Sequence, residues 1–179
     1  MVDPLTLRIW GFRLYFTALS TAILFVHILP FHISASAFVG PDLLVCLAFA
    51  WVLRRPDYVP VLLVAAVIAV SDILFLRPLG LWTALVLLGM EFLRPRGHLS
   101  AEMPFPVEWA MVTGTIFAIS LLNALILAIV MVPQPPLTGV IVHAFVTAAV
   151  YPVVVAISAF VIGVRPPSPA ERDSRGIRA

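Results

Sequence analysis

Six long apolar runs, nearly free of charge and each cut from the next by proline, constrain this chain more than any other feature. They cover roughly residues 12–29, 37–53, 59–76, 79–93, 107–131 and 139–164. At 1.5 Å per residue an 18-residue helix rises about 27 Å, close to the thickness of a bilayer's hydrocarbon core. The fourth run spans only about 22 Å by the same rise. It has to thin the bilayer, let Arg94 snorkel, or shelter behind its neighbours. Pro30, Pro56, Pro78, Pro104, Pro106 and the run Pro133-Gln134-Pro135-Pro136 fall between the segments, and Pro41 and Pro60 near the starts of theirs, where a missing amide hydrogen costs least. Pro152 alone falls deep inside a segment and is expected to kink the sixth helix, which is tolerated where neighbours satisfy the freed carbonyl. Barrel-type alternation is absent, so a helical bundle is the spanning structure left.

Composition says the same. The 179 residues are 62% hydrophobic and 11% charged, with a mean hydropathy of +1.10. Soluble domains carry about 25% charged residues; this chain cannot coat a water-soluble globule. The expected architecture is an all-α membrane protein: a six-transmembrane-helix bundle forming one domain over residues 1–164, then a Pro-, Ser- and Arg-rich tail, 165–179, disordered in the cytoplasm. The net charge of +2 belongs to loops and tail, and no nucleic-acid partner is implied. Cys46 is the single cysteine, which rules out an intrachain disulfide and reads as a small buried hydrophobe. Arg8, Arg13, the first run and Ala35-Ser36-Ala37 mimic a signal peptide. The run is long for that, and Pro30-Phe31-His32 separates it from the small residues, so it is read as the first span.

All eleven basic residues are arginine. With the N-terminus in the cytoplasm, ten of them lie inside: Arg8, Arg13, Arg54, Arg55, Arg94, Arg96, Arg165, Arg172, Arg175 and Arg178. Only Arg77 falls outside. That bias places both termini in the cytoplasm, as an even number of spans requires.

The outer charges form a group. Asp42 opens the second span behind Pro41, Asp72 lies one turn from the end of the third, and Arg77 sits in the turn with Pro78 and Gly80. Charged groups at membrane depth are expected to face the bundle and pair, so an Asp72–Arg77 or Asp42–Arg77 contact should pin the outer ends of spans two to four. The functional counterpart is a cluster that binds a partner, an ion or a proton. On the inner side Glu91 is expected to pair with Arg94, near Arg54 and Arg55. Polar stripes, Ala65–Ala69–Asp72, Thr113–Ser120–Asn123 and His143–Thr147–Tyr151, suggest helix–helix contacts, and a substrate path would share their pattern. His27 and His143 read as hydrogen-bonded packing residues. No P-loop, HExxH, GxSxG or metal-spaced cluster occurs, so no catalytic, cofactor-binding or metal residue is assigned and no enzyme is expected. Internal repeats are not evident.

Pro41-Asp42-Leu43-Leu44, the basic turn after Trp51, Asp72, and Pro78-Leu79-Gly80-Leu81 follow one another in an order that resembles the rod shape-determining protein MreD family of bacteria. The resemblance covers residues 41 to about 95. Where that family is commonly glycine-rich before its aspartate, this chain has Ala65-Ala66-Val67-Ile68-Ala69-Val70. The resemblance implies a non-enzymatic scaffold in the bacterial inner membrane, part of the cell-elongation machinery. It would bind MreC and, directly or through it, MreB, RodZ, and RodA with its transpeptidase, linking the MreB cytoskeleton to peptidoglycan synthesis. It also implies a fold similar to the membrane substrate-binding subunit of energy-coupling-factor transporters. Pro41, Asp42, Asp72, Arg77, Pro78 and Gly80 would then form a structural or partner-binding outer-rim cluster. The competing class is a small-molecule transporter subunit holding substrate between its helices near Asn123, His143, Tyr151 or Asp72. A carrier using Asp72 as proton site is a third.

Overall fold

The computed structural model describes residues 4–29, 40–97, 104–160 and 163–164. The expected tail, the cleavage-like triplet at 35–37 and the first residues of the expected second span lie outside the described residues. Six α-helices and two single 3-10 turns form, with no strand among the described residues. The helices are α1 (Pro4–Ile28), α2 (Leu43–Arg54), α3 (Val61–Leu74), α4 (Leu81–Leu93), α5 (Phe105–Ile129) and α6 (Leu137–Phe160). Three of them, Thr6–Ile28 within α1 and the whole of α5 and α6, are long and apolar enough to cross a membrane.

The middle three are shorter than the sequence suggests. Only the fourth is expected to be short, yet α2, α3 and α4 have 12, 14 and 13 residues. Their turn residues trim them. Asp42 caps α2 by accepting from Val45 N at 3.1 Å. Leu76 leaves α3 with φ 51°, and Gly80 enters α4 with φ 83°, a left-handed conformation glycine adopts without steric cost.

Helix α2 is the core. Its sequence, LLVCLAFAWVLR, is apolar all round except at its last residue, and every residue from Leu44 to Arg54 is buried. A helix with no polar face is buried either in protein or in lipid; here other helices enclose it. It packs against α1, α4 and α6, while α1–α3, α3–α4, α4–α5 and α5–α6 contacts complete the surrounding set. Phe16 leans on Trp51 (centroids 5.5 Å), and Phe12 stacks on Tyr58 at 4.4 Å. At Gly89 a Cβ would lie 3.0 Å from both the Phe49 ring and Thr115 Cγ2; this glycine sets how closely α4 approaches α2 and α5. Outward faces carry large exposed apolar side chains such as Leu62, Leu88 and Phe145.

One expected contact face is different. Val64, Ile68, Ser71 and Asp72 form the buried face of α3, and Ala65 and Ala69 are only half-buried at its flank. The branched side chains of Val64 and Ile68 supply the apolar packing, and the small residues sit beside it.

Pro152 stands inside α6 as expected. Proline has no amide hydrogen to give the carbonyl four residues earlier, that of Ala148. The Trp109 indole N–H on α5 donates to that carbonyl at 2.8 Å. Trp109→Phe is therefore expected to lower stability in detergent by about 1–2 kcal/mol. The loss should shrink in a Pro152→Ala background, where the backbone can supply the donor itself. Equal losses in both backgrounds, read by thermal melting, would break the link between the two residues.

Candidate functional site

The chain alternates direction, so the bundle has two ends. One, the near rim, holds the start of α1 and the α2–α3 and α4–α5 connections. The other, the far rim, holds the α3–α4 and α5–α6 turns and the start of α2. Pro41, Asp42, Asp72, Arg77, Pro78 and Gly80 all lie at the far rim.

Two carboxyls there hold two helix starts. Asp42 Oδ1 takes the Val45 amide at the head of α2, while the Asp42 amide donates to Thr147 Oγ1 on α6 at 3.0 Å. Asp72 is fully buried and reaches across to the head of α4. Its Oδ2 accepts from Gly80 N (3.3 Å), Thr83 N (3.2 Å) and Thr83 Oγ1 (2.7 Å). Unpaired amides and the positive end of the helix dipole make a helix start a natural seat for a carboxyl. Its Oδ1 has no hydrogen-bond partner among the described residues.

Of the two ion pairs considered from sequence, the structure forms Asp42–Arg77, with Arg77 Nη1 3.9 Å from Asp42 Oδ2. Asp72 and Arg77 meet only through the backbone, the Arg77 amide donating to the Asp72 carbonyl at 3.0 Å. That bond closes the end of α3. The guanidinium instead lies over the rings of Phe75 (5.4 Å) and Trp82 (5.5 Å).

Beside this cluster, between the two turns, the far rim opens into a cleft of about 400 Å³, lined among others by Arg77, Trp82, Ser120, Asn123, Gln134 and His143. Asp72 and Tyr151 are not among its lining residues. His143 Nδ1 is 3.0 Å from Gly40 O, and Ser120 Oγ is buried without a hydrogen-bond partner among the described residues. Of the polar stripes, that of α6 does bond other elements: His143 to Gly40, Thr147 to Asp42, and Tyr151 to Glu108. That of α5 does not; Thr113 Oγ1 and Ser120 Oγ are both without hydrogen-bond partners among the described residues.

Sequence reasoning missed the near-rim centre. Arg54 and Glu108, both buried, form a two-pronged pair: Nη1 to Oε1 at 2.8 Å and Nη2 to Oε2 at 3.3 Å. Tyr151 donates to the same Oε1 at 2.7 Å, so α2, α5 and α6 are tied at one point. Trp51 Nε1 adds a bond to Ser158 Oγ at 3.2 Å. Glu91 pairs with Arg94 at 2.8 Å as expected; Arg94 also donates to the carbonyls of Pro56 and Val59. No group of three or more His, Cys, Asp or Glu that could hold a metal occurs among the described residues.

No protein-family model, curated protein or solved structure matches this chain. Chemically, the far rim can hold helix ends in register and offer one cation beside a half-open cleft; the near rim can lock three helices together.

Proposed function

We propose that the chain is a non-enzymatic membrane scaffold of the bacterial cell-elongation machinery, of the MreD type, with six helices in the inner membrane and both termini in the cytoplasm. In this role it binds MreC and helps couple MreB, RodZ, and RodA with its transpeptidase to peptidoglycan synthesis. The filled centre carries the reading: every residue of α2 from Leu44 to Arg54 is buried. The carboxyls of Asp42, Asp72 and Glu108 are engaged in holding helices together. A bundle built in this way acts through its faces and rims. The order of motifs from Pro41 to Leu81 supports the specific assignment, as does the one-sided distribution of arginine. Affinity capture of the full chain from native membranes, with partners identified by mass spectrometry, tests it. A single-pass protein with a periplasmic coiled coil should be recovered; an ATPase module would overturn the reading.

The far-rim cleft favours a second reading, a small-molecule transporter subunit, because Asn123 and His143 line it. On that reading the ATPase module is the expected partner, so the same capture separates the two.

A further inference from the structure

The far-rim cleft has a chemistry of its own. Its volume, about 400 Å³, lies within the range of small-ligand sites. Among the described residues, Arg77 is the one charged residue lining it. The acid nearest that guanidinium, Asp42, stands at 3.9 Å and spends its other oxygen on the α2 cap. Asp72, the remaining acid at this rim, is turned to the α4 amides and away from the cleft. The formal charge on the cleft wall is therefore positive.

Three polar side chains stand there with hydrogen-bonding capacity unused. Ser120 Oγ is buried and unpartnered among the described residues, a state that costs free energy until something fills it. The Asn123 side chain makes no hydrogen bond to another described residue, and His143 is anchored through Nδ1 to Gly40 O, which puts the ring N–H on Nδ1 and leaves Nε2 as an acceptor. Leu76, Pro78, Leu127 and Val140 supply apolar wall. At the rim Leu76 and Met131, 93% and 90% exposed, are both held at positive φ (51° and 57°). That conformation is unfavourable for a residue with a Cβ. Two large apolar side chains are thus held outward by strained turns, Leu76 lining the cleft and Met131 close by it in the chain.

We propose that this cleft binds an anionic amphiphile: one phosphate or carboxylate head seated on Arg77, Asn123 and Ser120, joined to an apolar tail that leaves over Leu76 and Met131. A cation would meet Arg77, and a wholly apolar molecule would strand the polar groups. The site is independent of whether the bundle serves as scaffold or carrier subunit. Phospholipids and free fatty acids share this chemistry, and the test separates them.

The full chain in neutral detergent is titrated with phosphatidylglycerol, oleate, phosphatidylcholine and inorganic phosphate, and retained ligand is counted by native mass spectrometry. One anionic amphiphile per chain should be retained, at least tenfold more tightly than phosphatidylcholine; the tighter of phosphatidylglycerol and oleate names the source. Arg77→Gln and Asn123→Leu should each weaken retention at least tenfold. Asn123→Leu keeps a good helix former in α5, so it reports even where Arg77→Gln loosens the turn. Phe145→Ala, on an exposed face of α6, should change nothing. The proposal is overturned by equal retention of phosphatidylcholine, by inorganic phosphate binding as tightly as the amphiphiles, by wild-type binding in both cleft variants, or by an equal loss in Phe145→Ala.

Discussion

Asp72→Ala is expected to destabilise the bundle by about 3 kcal/mol, the cost of stranding three donors in a buried site at about 1–3 kcal/mol each when their losses overlap. Gly80 N, Thr83 N and Thr83 Oγ1 all depend on Oδ2 of this fully buried residue. For a chain of this size each kcal/mol moves the melting midpoint by about 2–4 °C, so a fall of about 6–12 °C is expected. Asp72→Asn keeps an acceptor oxygen and should lose less than half as much. Thr83→Val removes one of the three donors and should cost about 1 kcal/mol. Thermal melting in detergent with unchanged midpoints for Asp72→Ala would show that the carboxyl is not what holds α3 to α4.

The second large effect lies at the opposite rim. Glu108→Gln leaves the Arg54 guanidinium buried without its counter-charge, and breaking such a pair costs about 3–5 kcal/mol. Arg54→Met should cost a similar amount by removing the guanidinium charge beside the buried Glu108 carboxylate. Replacing both, Arg54→Met with Glu108→Leu, should recover much of the loss, because no buried charge is left unpaired, less the cost of the Tyr151 hydroxyl losing its acceptor. Tyr151→Phe should cost about 1 kcal/mol, the value of its hydrogen bond to Glu108. A double-mutant cycle measured by melting checks this. Additive losses from Arg54→Met and Glu108→Leu would show that the two residues do not act as a pair.

Prolines and hydropathy placed the six helices in the sequence, because a missing amide and a lack of charge act locally. Their lengths were less legible. Caps such as Asp42 and left-handed turns such as Leu76 and Gly80 remove residues that are as apolar as those inside the helices. At the far rim, residue type and depth brought Asp42, Asp72 and Arg77 to one level, but spacing could not choose the partners. The Asp72 carboxyl turns to α4 because the Gly80 turn presents free amides there, and Arg77 is left to Asp42. The Arg54–Glu108 pair joins residues 54 positions apart. Its signal was present as a lone acid in the first turn of α5, but an arginine ending an apolar run reads as a rim charge until a neighbouring helix is known to cover it. The cleft was foreshadowed only by Asn123 and His143, whose stripes look the same whether they meet a helix or a cavity.

The placement of the two rims on opposite sides of one membrane is the claim on which the rest stands. It is tested most directly by cysteine accessibility in intact cells, where the native Cys46, fully buried, supplies a silent background. Leu79→Cys, in the exposed α3–α4 turn, should react with a membrane-impermeant maleimide without permeabilisation, and Thr6→Cys, at the exposed start of α1, only after it. Labelling of both positions in intact cells, or of Thr6→Cys alone, would contradict the account.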